Sequence, residues 1–479
     1  MGKPDDKLKH FDEAGIRNLR PPDWVRDTVF YQIFPDRFYN GDPSNDPEDA
    51  VTWDANPTRD NFFGGDLAGV MEKLDYLEEL GVNGIYLNPI FKSPSNHKYD
   101  TTDYYEIDPA FGDTSQLKDL VKAAHERNIR VILDGVFNHC GENFPQFQDL
   151  KQKGQESEHW NWFDVDDFPP RKEPEPNYRC WAGVPEMPEF DRSNPDVRRF
   201  LLDVARYWID EADIDGWRLD TTNYLEPGFV RSLRIAAREV KSDAYVMGEV
   251  VGPAASWFKS GSLDGVMNYE LYKLLVDLIA KRRYGPEAFR QRLYFLRRSY
   301  PEWANFANYN LLGSHDRPRF MTLCEGDVEI FKLGYFLLFA LPGAPAIYYG
   351  DEIGMEGGDD PDCRRTFPWK EDIRKEDLFS FFQELLKLRE EQRPLRRGEV
   401  KEITAPAPIF ALVRKTGSEL ALAAVNPSSK SCKAEIASDQ FPTADNPETL
   451  FGQGSCSFSS GALKLELPGY GFSLLKLDG

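Results

Sequence analysis

The sequence lacks the features that would place the protein in a membrane or on a nucleic acid. No run of about 18 or more apolar residues occurs, so no segment is predicted to span a membrane. The segment from Met1 to Arg20 has no apolar core of the kind found in secretion signals, so we expect a cytoplasmic protein unless a signal has been removed. The 80 acidic and 58 basic residues give a net charge of −22, which argues against nucleic acid or an anionic membrane as a partner.

Cysteine is scarce as well. The chain of 479 residues has six cysteines, which are scattered and form neither a CxxC pair nor a dense framework. We therefore expect free thiols in a reducing compartment. Cys432 and Cys456 lie close enough in the chain to be the pair in which a disulfide would be sought.

The chain does have enough apolar residues for a large core, since 41% are hydrophobic and 13% aromatic. Between Asp23 and Arg393, eight short apolar runs alternate with amphipathic helical segments, which is typical of a parallel sheet covered by helices. Eight units predict a (β/α)8 barrel; a doubly wound open sheet is the alternative, although no glycine-rich phosphate loop follows the first run. The runs are Val29–Phe34, Gly84–Asn88, Arg130–Asp134, Gly216–Asp220, Tyr245–Glu249, Gly265–Asn268, Tyr309–Ser314 and Ala346–Tyr349, and the helical segments include Leu67–Leu80, Ser115–Arg127, Asp196–Glu211 and Pro227–Val240.

Changes in this pattern predict the domain boundaries. The fold class is α/β, with a TIM barrel in residues 23–139 and 195–395 after an N-terminal extension, residues 1–22. Residues 140–194 are too many for a structureless loop, so we expect a small excursion domain after the third strand. Residues 396–479 turn to short alternating segments, which predicts a C-terminal antiparallel β-sandwich.

Polar side chains follow four of the apolar runs. Each alone could be a helix cap, a surface ion pair or a packed histidine, but barrel active sites assemble at this rim from several strands at once. Three carboxylates beside an arginine suit cleavage of a glycosidic bond, which needs one carboxylate as nucleophile or base and another as acid. The side chains are His139 after the third run, Arg218 and Asp220 in the fourth, Glu249 in the fifth, and His315 and Asp316 after the seventh.

These four segments resemble the conserved regions of the α-amylase superfamily, glycoside hydrolase family 13, in order and in spacing. The chain is most similar to the branch of cyclomaltodextrinases, neopullulanases and maltogenic amylases, over about residues 23 to 400. Further segments that carry the resemblance are Val29–Phe38, Ser93–Tyr104 and Ile347–Gly354.

The resemblance implies a role for each carboxylate. Asp220 is expected to be the nucleophile, Glu249 the general acid and then base, and Asp316 a ligand of the sugar hydroxyls. A retaining mechanism requires the carboxyl groups of Asp220 and Glu249 to be about 5–5.5 Å apart. We expect Arg218 to keep Asp220 ionised, and crowding by the other two carboxylates to raise the pKa of Glu249. Asp134 is expected to hydrogen-bond Arg218 rather than the sugar.

The resemblance also implies a set of sugar-binding residues. Histidines are expected to donate hydrogen bonds to the reacting sugar, Tyr99 to stack on it, and an Asp–Arg pair to bind the sugar on the donor side. Trp181, in the excursion domain, is a hypothetical stacking surface on the acceptor side. The predicted set is His97, Tyr99, His139, Trp181, Arg218, His315, Asp360 and Arg364.

A loop rich in Asn and Asp follows the first apolar run. Calcium takes six to eight hard oxygen ligands, including backbone carbonyls, and the loop resembles the calcium loop of the neopullulanase-like branch. We therefore expect a structural Ca²⁺; a polar turn without metal is the alternative. The predicted ligands are Asn40, Asp42, Asn45, Asp46, Gly64 and Asp66.

The chain departs from its relatives around the acceptor side. Few residues precede the predicted barrel, so we expect neither the relatives' N-terminal β-domain nor a dimer exchanged through it, and monomer or dimer stays open. Val251 stands where relatives commonly have Trp, and Thr221–Asn223 and Met187–Asp191 also differ. We expect a retaining α-glucan hydrolase acting on α-1,4 bonds of maltooligosaccharides, cyclodextrins, starch or pullulan, with some transglycosylation. The alternatives are a 4-α-glucanotransferase, another α-glucoside enzyme of the superfamily, and a non-catalytic sugar-binding homologue.

Overall fold

A computed structural model describes residues 20–369, 376–440 and 447–478 of the chain. Most of the predicted N-terminal extension lies outside the described residues. None of the helices in these residues combines the length and the hydrophobicity that a membrane-spanning helix needs.

Eight parallel strands form a barrel. Consecutive strands pair from the first to the sixth, and the eighth pairs with both the first and the seventh. Between the sixth and the seventh, a parallel bridge joins Met267 to Tyr309, and the Asn268 N–H donates to the Tyr309 carbonyl at 2.9 Å. This bridge closes the barrel and excludes the open sheet. The strands are Phe30–Ile33, Gly84–Leu87, Arg130–Gly135, Gly216–Leu219, Tyr245–Gly248, Gly265–Val266, Tyr309–Asn310 and Ala344–Tyr348.

Helices cover the outside of the barrel where amphipathic segments predict them. One difference is the segment Leu67–Leu80, which breaks at Lys73 because the φ of −98° and ψ of 8° of this residue lie outside the helical region. The helices of the barrel are Pro35–Phe38, Leu67–Glu72, Leu74–Leu80, Thr114–Glu126, Pro195–Ala212, Pro227–Val240, Ala255–Lys259, Tyr269–Ile279, Pro286–Ser299, Glu302–Asn305, Phe320–Leu323, Val328–Ala340, Glu376–Glu391 and Arg393–Arg397.

Two insertions rise from the carboxyl ends of the strands. A short hairpin of Phe91–Lys92 and Asp103–Ile107 follows the second strand. After the third strand, residues 140–194 contain the helix Pro145–Lys153 and the 3₁₀ turns Gly154–Glu156, Trp160–Trp162 and Trp181–Gly183. Isolated bridges such as Val165–Tyr178 hold this segment together, so it is not a structureless loop.

The C-terminal residues form two antiparallel sheets, of five and of three strands. Cys432 and Cys456 lie on the two outer strands of the three-stranded sheet, opposite Leu467 and Leu465 of the central strand, and both are free thiols. No disulfide joins them because a whole strand lies between them. The strands are Glu399–Ile403, Phe410–Thr416, Glu419–Val425, Cys432–Ala437, Glu448–Gly452, Ser455–Ser459, Ala462–Leu467 and Phe472–Asp478.

Candidate active site

A cavity of about 1010 Å³ opens at the carboxyl ends of the barrel strands. Every predicted sugar-binding residue lines it except Arg218, which is fully buried beneath it. All three predicted carboxylates line the cavity too. Its lining comprises Arg59, Asp60, Phe62, Pro94, Ser95, Asn96, His97, Tyr99, Asp100, His139, Trp181, Val184, Glu186, Met187, Asp220, Thr221, Glu249, Tyr269, His315, Asp316, Arg317, Asp360 and Arg364.

Arg218 connects the carboxylates at the base of the cavity. It lies on the fourth strand, two residues before Asp220, so both side chains leave the same face of the strand. Its Nη1 lies 2.8 Å from Asp134 Oδ1 and 2.8 Å from Asp220 Oδ1, and its Nη2 lies 3.1 Å from Glu249 Oε2. One guanidinium therefore contacts both candidate catalytic carboxylates, and the predicted bond between Asp134 and Arg218 is confirmed.

Backbone and side chain of Thr221 add to this arrangement. The Thr221 N–H donates to Glu249 Oε2 at 2.9 Å, and its hydroxyl donates to Asp220 Oδ2 at 3.2 Å. Thr221 has a φ of 41°, a conformation uncommon for a β-branched residue. This conformation turns the chain immediately after Asp220, so that the N–H of Thr221 faces the fifth strand.

The buried charges change the protonation of this cluster. Burial raises the pKa of Asp220, the charges of Glu249 and Asp134 raise it further, and Arg218 opposes them. Burial also raises the pKa of Asp134 to about 6. The side chain of Asp220 is 7% exposed and that of Glu249 is 14% exposed. The neighbouring carboxylates thus raise the pKa of Asp220, the residue expected to be ionised. That Glu249 carries the proton stays a prediction.

Asp316 faces the cavity from the loop after the seventh strand and is held by two neighbours. Its Oδ2 lies 3.0 Å from His315 Nε2, and its Oδ1 accepts a bond from Arg364 Nη2 at 3.3 Å. Arg364 also pairs with Asp360 at 3.1 Å. The side chain of Asp316 is 37% exposed, so this carboxylate is accessible to a ligand.

A hydrogen-bond chain fixes the tautomer of His315. Gln32 Nε2 donates to His315 Nδ1 at 2.8 Å and to Asn88 Oδ1 at 2.9 Å. Burial holds the pKa of His315 well below its usual value, so the ring is neutral and its proton is on Nε2. That nitrogen lies 2.6 Å from the hydroxyl of Tyr99, which in turn donates to Asp134 at 3.0 Å.

His139 and His97 differ in whether a ring nitrogen is left without a hydrogen-bond partner among the described residues. Burial lowers the pKa of His139 to about 3. Its Nε2 donates to the carbonyl of Tyr99 at 3.1 Å, and its Nδ1 accepts from Asn138 at 3.3 Å. A bond from His139 to sugar would therefore require one of these to break, and that role stays a prediction. His97 accepts the N–H of Tyr99 on Nδ1 at 3.1 Å, which leaves its Nε2 side for a ligand.

Comparison with known proteins agrees with this geometry. The family model described as the α-amylase catalytic domain matches residues 32–394. The chain belongs to the α-amylase family. A cyclomaltodextrinase of Geobacillus thermopakistaniensis is 45% identical over 463 residues, which cover 96% of this chain and 78% of the relative. Neopullulanase 2 of Thermoactinomyces vulgaris is 46% identical over 398 residues, which cover 82% of this chain and 68% of that relative.

A solved structure matches over nearly the whole chain. It is the cyclic α-maltosyl-(1→6)-maltose hydrolase of Arthrobacter globiformis, which has a TM-score of 0.89 and 37% identity and covers 96% of this chain and 100% of that one. The predicted family and fold are confirmed, and this α-amylase family member is a glycoside hydrolase.

Sequence reasoning missed three residues of this α-amylase family site. Gln32 lies on the first strand, and its only signal was a polar residue in an apolar run. Tyr269 begins the helix after the sixth strand, and its hydroxyl is buried without a partner among the described residues. Arg317 follows Asp316 and has a buried Nε that likewise lacks a partner there. Trp181, by contrast, lines the cavity with its ring 5.7 Å from that of His139.

The loop after the first strand brings together most of the predicted calcium ligands. Asn40 Nδ2 donates to Asp46 Oδ1 at 2.7 Å, while the buried Oδ1 atoms of Asn40 and Asn45 have no partner among the described residues. A Cβ at Gly64, where φ is +81°, would lie 2.3 Å from Asp46 Oδ1. The described residues contain no group of three or more acidic, histidine or cysteine side chains placed to hold a metal ion, so a metal here would depend on amide and carbonyl oxygens beside the carboxylate of Asp46.

Asp66 caps a helix at the end of this loop region. It is the N-cap of the helix Leu67–Glu72, because its Oδ1 accepts the N–H of Gly69 at 2.6 Å. Its Oδ2 accepts the N–H of Asp42 at 2.9 Å and the amide of Asn45 at 3.0 Å. Both oxygens therefore accept hydrogen bonds, and the role of Asp66 as a calcium ligand stays a prediction.

Proposed function

We propose that the protein hydrolyses α-1,4-glucosidic bonds with retention, using Asp220 as the nucleophile and Glu249 as the acid and base. The observation that carries this proposal is that the guanidinium of Arg218 contacts both carboxylates. Retaining enzymes hold the two groups about 5–5.5 Å apart, and inverting enzymes about 6.5–9.5 Å. Two carboxylates on one guanidinium favour the closer spacing.

The mechanism has two steps. Glu249 gives its proton to the glycosidic oxygen as that bond breaks, and Asp220 bonds to the anomeric carbon. A water molecule then attacks the same carbon, Glu249 takes a proton from the water, and Asp220 leaves as a carboxylate. Arg218 stabilises the ionised Asp220 before attack and after release. Asp316, held by Arg364, is placed to accept bonds from the sugar hydroxyls.

We propose short linear and cyclic α-glucans as the substrates. Similarity to a cyclomaltodextrinase, to a neopullulanase and to a hydrolase of a cyclic maltosyl-maltose supports this class. The neutral histidines and the ring of Tyr99 suit an uncharged sugar. A sugar hydroxyl can replace water in the second step, so we also propose some transglycosylation.

We further propose a structural Ca²⁺ in the loop after the first strand. Unpartnered buried oxygens of Asn40 and Asn45 beside the carboxylate of Asp46 are the donors that calcium prefers. Burial raises the pKa of Asp46, and the charges of Asp66, Asp36 and Asp42 add to this effect. A bound cation would relieve that repulsion and connect the loop to Gly64.

Replacing each carboxylate by alanine tests the roles. Asp220→Ala and Glu249→Ala should each lose about 10²- to 10⁴-fold in kcat on maltotriose. With azide and p-nitrophenyl α-maltoside, Asp220→Ala should form the inverted β-maltosyl azide, because azide occupies the side of the missing nucleophile. Glu249→Ala should form the retained α-maltosyl azide. The opposite pairing would contradict the assignment, and products of cyclodextrin, pullulan and starch would rank the substrates.

A further inference from the structure

One arginine of the cavity is placed differently from the others. Arg317 follows Asp316 in a tight turn, in which its N–H donates to the Ser314 carbonyl at 3.3 Å. Its guanidinium carbon lies 5.1 Å from the ring centroid of Tyr269. Both side chains line the cavity together with Glu249 and Asp316.

The guanidinium of Arg317 contacts the ring of Tyr269 but no charged group among the described residues. Arg218 contacts three carboxylates, and Arg364 contacts two. Among the described residues, by contrast, the Arg317 side chain forms no ion pair, and its buried Nε has no hydrogen-bond partner. Buried donors are normally paired, so donors left free inside a binding cavity indicate a ligand. The Tyr269 hydroxyl, on a side chain only 6% exposed, is unpaired in the same place.

The position of Glu249 tells which part of the substrate would meet these donors. An acid that protonates the glycosidic oxygen lies on the leaving-group side of the bond. Tyr269 is on that side, since it begins the helix after the sixth strand, and this strand pairs with the fifth, which precedes Glu249. Asp360 and Arg364 follow the eighth strand and contact the cluster through Asp316.

We infer that Arg317, supported by the ring of Tyr269, binds the hydroxyl groups of the leaving sugar and so selects a sugar over other leaving groups. This inference rests on the proposed function. A guanidinium offers several donors in a fixed plane, which suits neighbouring hydroxyl oxygens. An anionic sugar is disfavoured because Asp220, Glu249 and Asp316 line the same cavity.

The same contact would act in transglycosylation. The acceptor sugar enters where the leaving sugar departed, its hydroxyl oxygen bonds to the anomeric carbon, and its proton passes to Glu249 as the ester to Asp220 breaks. Arg317 would hold that acceptor in place. Arg317 would thus position both the leaving sugar, when the intermediate forms, and the acceptor sugar, when the intermediate reacts.

Two substrates that differ in the leaving group test the inference. Arg317→Met should lower kcat/KM on maltotetraose about ten- to hundredfold. It should change the release of nitrophenol from p-nitrophenyl α-maltoside, whose leaving group has no sugar hydroxyls, by less than about twofold. The ratio of transfer to hydrolysis should fall, and Arg317→Lys should recover only part of it because lysine lacks the planar fork.

A matched control is Arg292→Met, since Arg292 lies over the ring of Tyr284 at 4.8 Å outside the cavity. This control variant should leave kcat/KM on maltotetraose and the release of nitrophenol from p-nitrophenyl α-maltoside unchanged. Equal losses on both substrates in Arg317→Met, or no loss on either, would overturn the inference. Failure of the proposed function would look different, because the parent enzyme itself would then release neither nitrophenol nor sugar.

Discussion

Arg218 balances three carboxylates with one positive charge. Asp134 and Asp220 share its Nη1, and Glu249 faces its Nη2. Because the group is buried, a change in any one charge alters the proton affinity of the others. The acid side of the pH profile should therefore depend on Asp134, although Asp134 does not line the cavity.

Asp134→Asn is expected to move the acidic limb of kcat/KM to lower pH. The charge of Asp134 raises the pKa of Asp220, so its removal lets Arg218 stabilise the Asp220 carboxylate more strongly and lowers that pKa. The activity at the optimum should fall about tenfold as the anchor of Arg218 weakens. The profile would be measured on p-nitrophenyl α-maltoside. Tyr86→Phe, which removes a neutral donor to the same carboxylate, is the control, and a limb moved upward would contradict the argument.

At this scale the sequence predicted residues that belong to continuous motifs. Asp220, Glu249 and Asp316 follow apolar runs directly, so strand order alone brings them to one rim. Arg317 and Tyr269 could not be found in this way, since their significance depends on lacking a partner in three dimensions.

Between elements, a buried carboxyl after the eighth strand connects the first strand to the helix Leu74–Leu80. Glu352 is fully buried, and its Oε1 accepts bonds from Tyr31 of the first strand at 2.8 Å and from Tyr76 at 2.6 Å. Its Oε2 has no partner among the described residues. Burial raises the pKa of Glu352 to about 7. This carboxyl therefore favours the folded state while protonated, and that contribution is lost as the pH rises through about 7.

Glu352→Gln should therefore raise the melting temperature relative to the parent, and more so at higher pH. At pH 8.5 the folded parent must bury a carboxylate, whereas the variant does not, so we expect up to about 3 kcal/mol of added unfolding free energy. At pH 5.5 the two proteins should melt within a few degrees of each other. Thermal unfolding followed by circular dichroism across pH would check this; a difference that shrinks with rising pH would refute it.

The loop Asn40–Asp46 offers a test of the proposed calcium. A ligand that binds only the folded protein raises its melting temperature, so EDTA should lower it by several degrees and millimolar CaCl₂ should restore it. Asp46→Asn should lose most of this response because it removes a carboxylate donor from the loop. An identical melting temperature in EDTA and in CaCl₂ would retire the site.

Strand prediction succeeded where burial was continuous. All eight barrel strands coincide with apolar runs, since both of their faces are covered. Cys432–Ala437 and Ser455–Ser459, by contrast, are half-exposed outer strands with polar residues at alternate positions. Edge strands of this kind carry too weak an apolar signal to be separated from turns.

The whole molecule is held together by a core that continues from the barrel into the five-stranded sheet. Phe472 stacks on Phe336 of a barrel helix at 4.4 Å, and Phe410 meets Phe289 at 4.9 Å. Arg414 is buried and donates to the carbonyl of Ala340 at 2.8 Å, at the end of the helix that contains Phe336. The five-stranded sheet and the barrel therefore share one hydrophobic core.

Such continuity predicts one cooperative unfolding transition for the barrel and the five-stranded sheet. Phe472→Ala removes a side chain that is 2% exposed, which should cost about 3–5 kcal/mol. Loss of activity and the calorimetric peak should then shift together, because the lost contacts belong to both parts. Phe458→Ala is the matched control, since Phe458 packs in the separate cluster between the two C-terminal sheets and should have a smaller effect. A calorimetric trace that divides into two peaks, with activity following only the unshifted one, would show that the sheet unfolds as an independent unit.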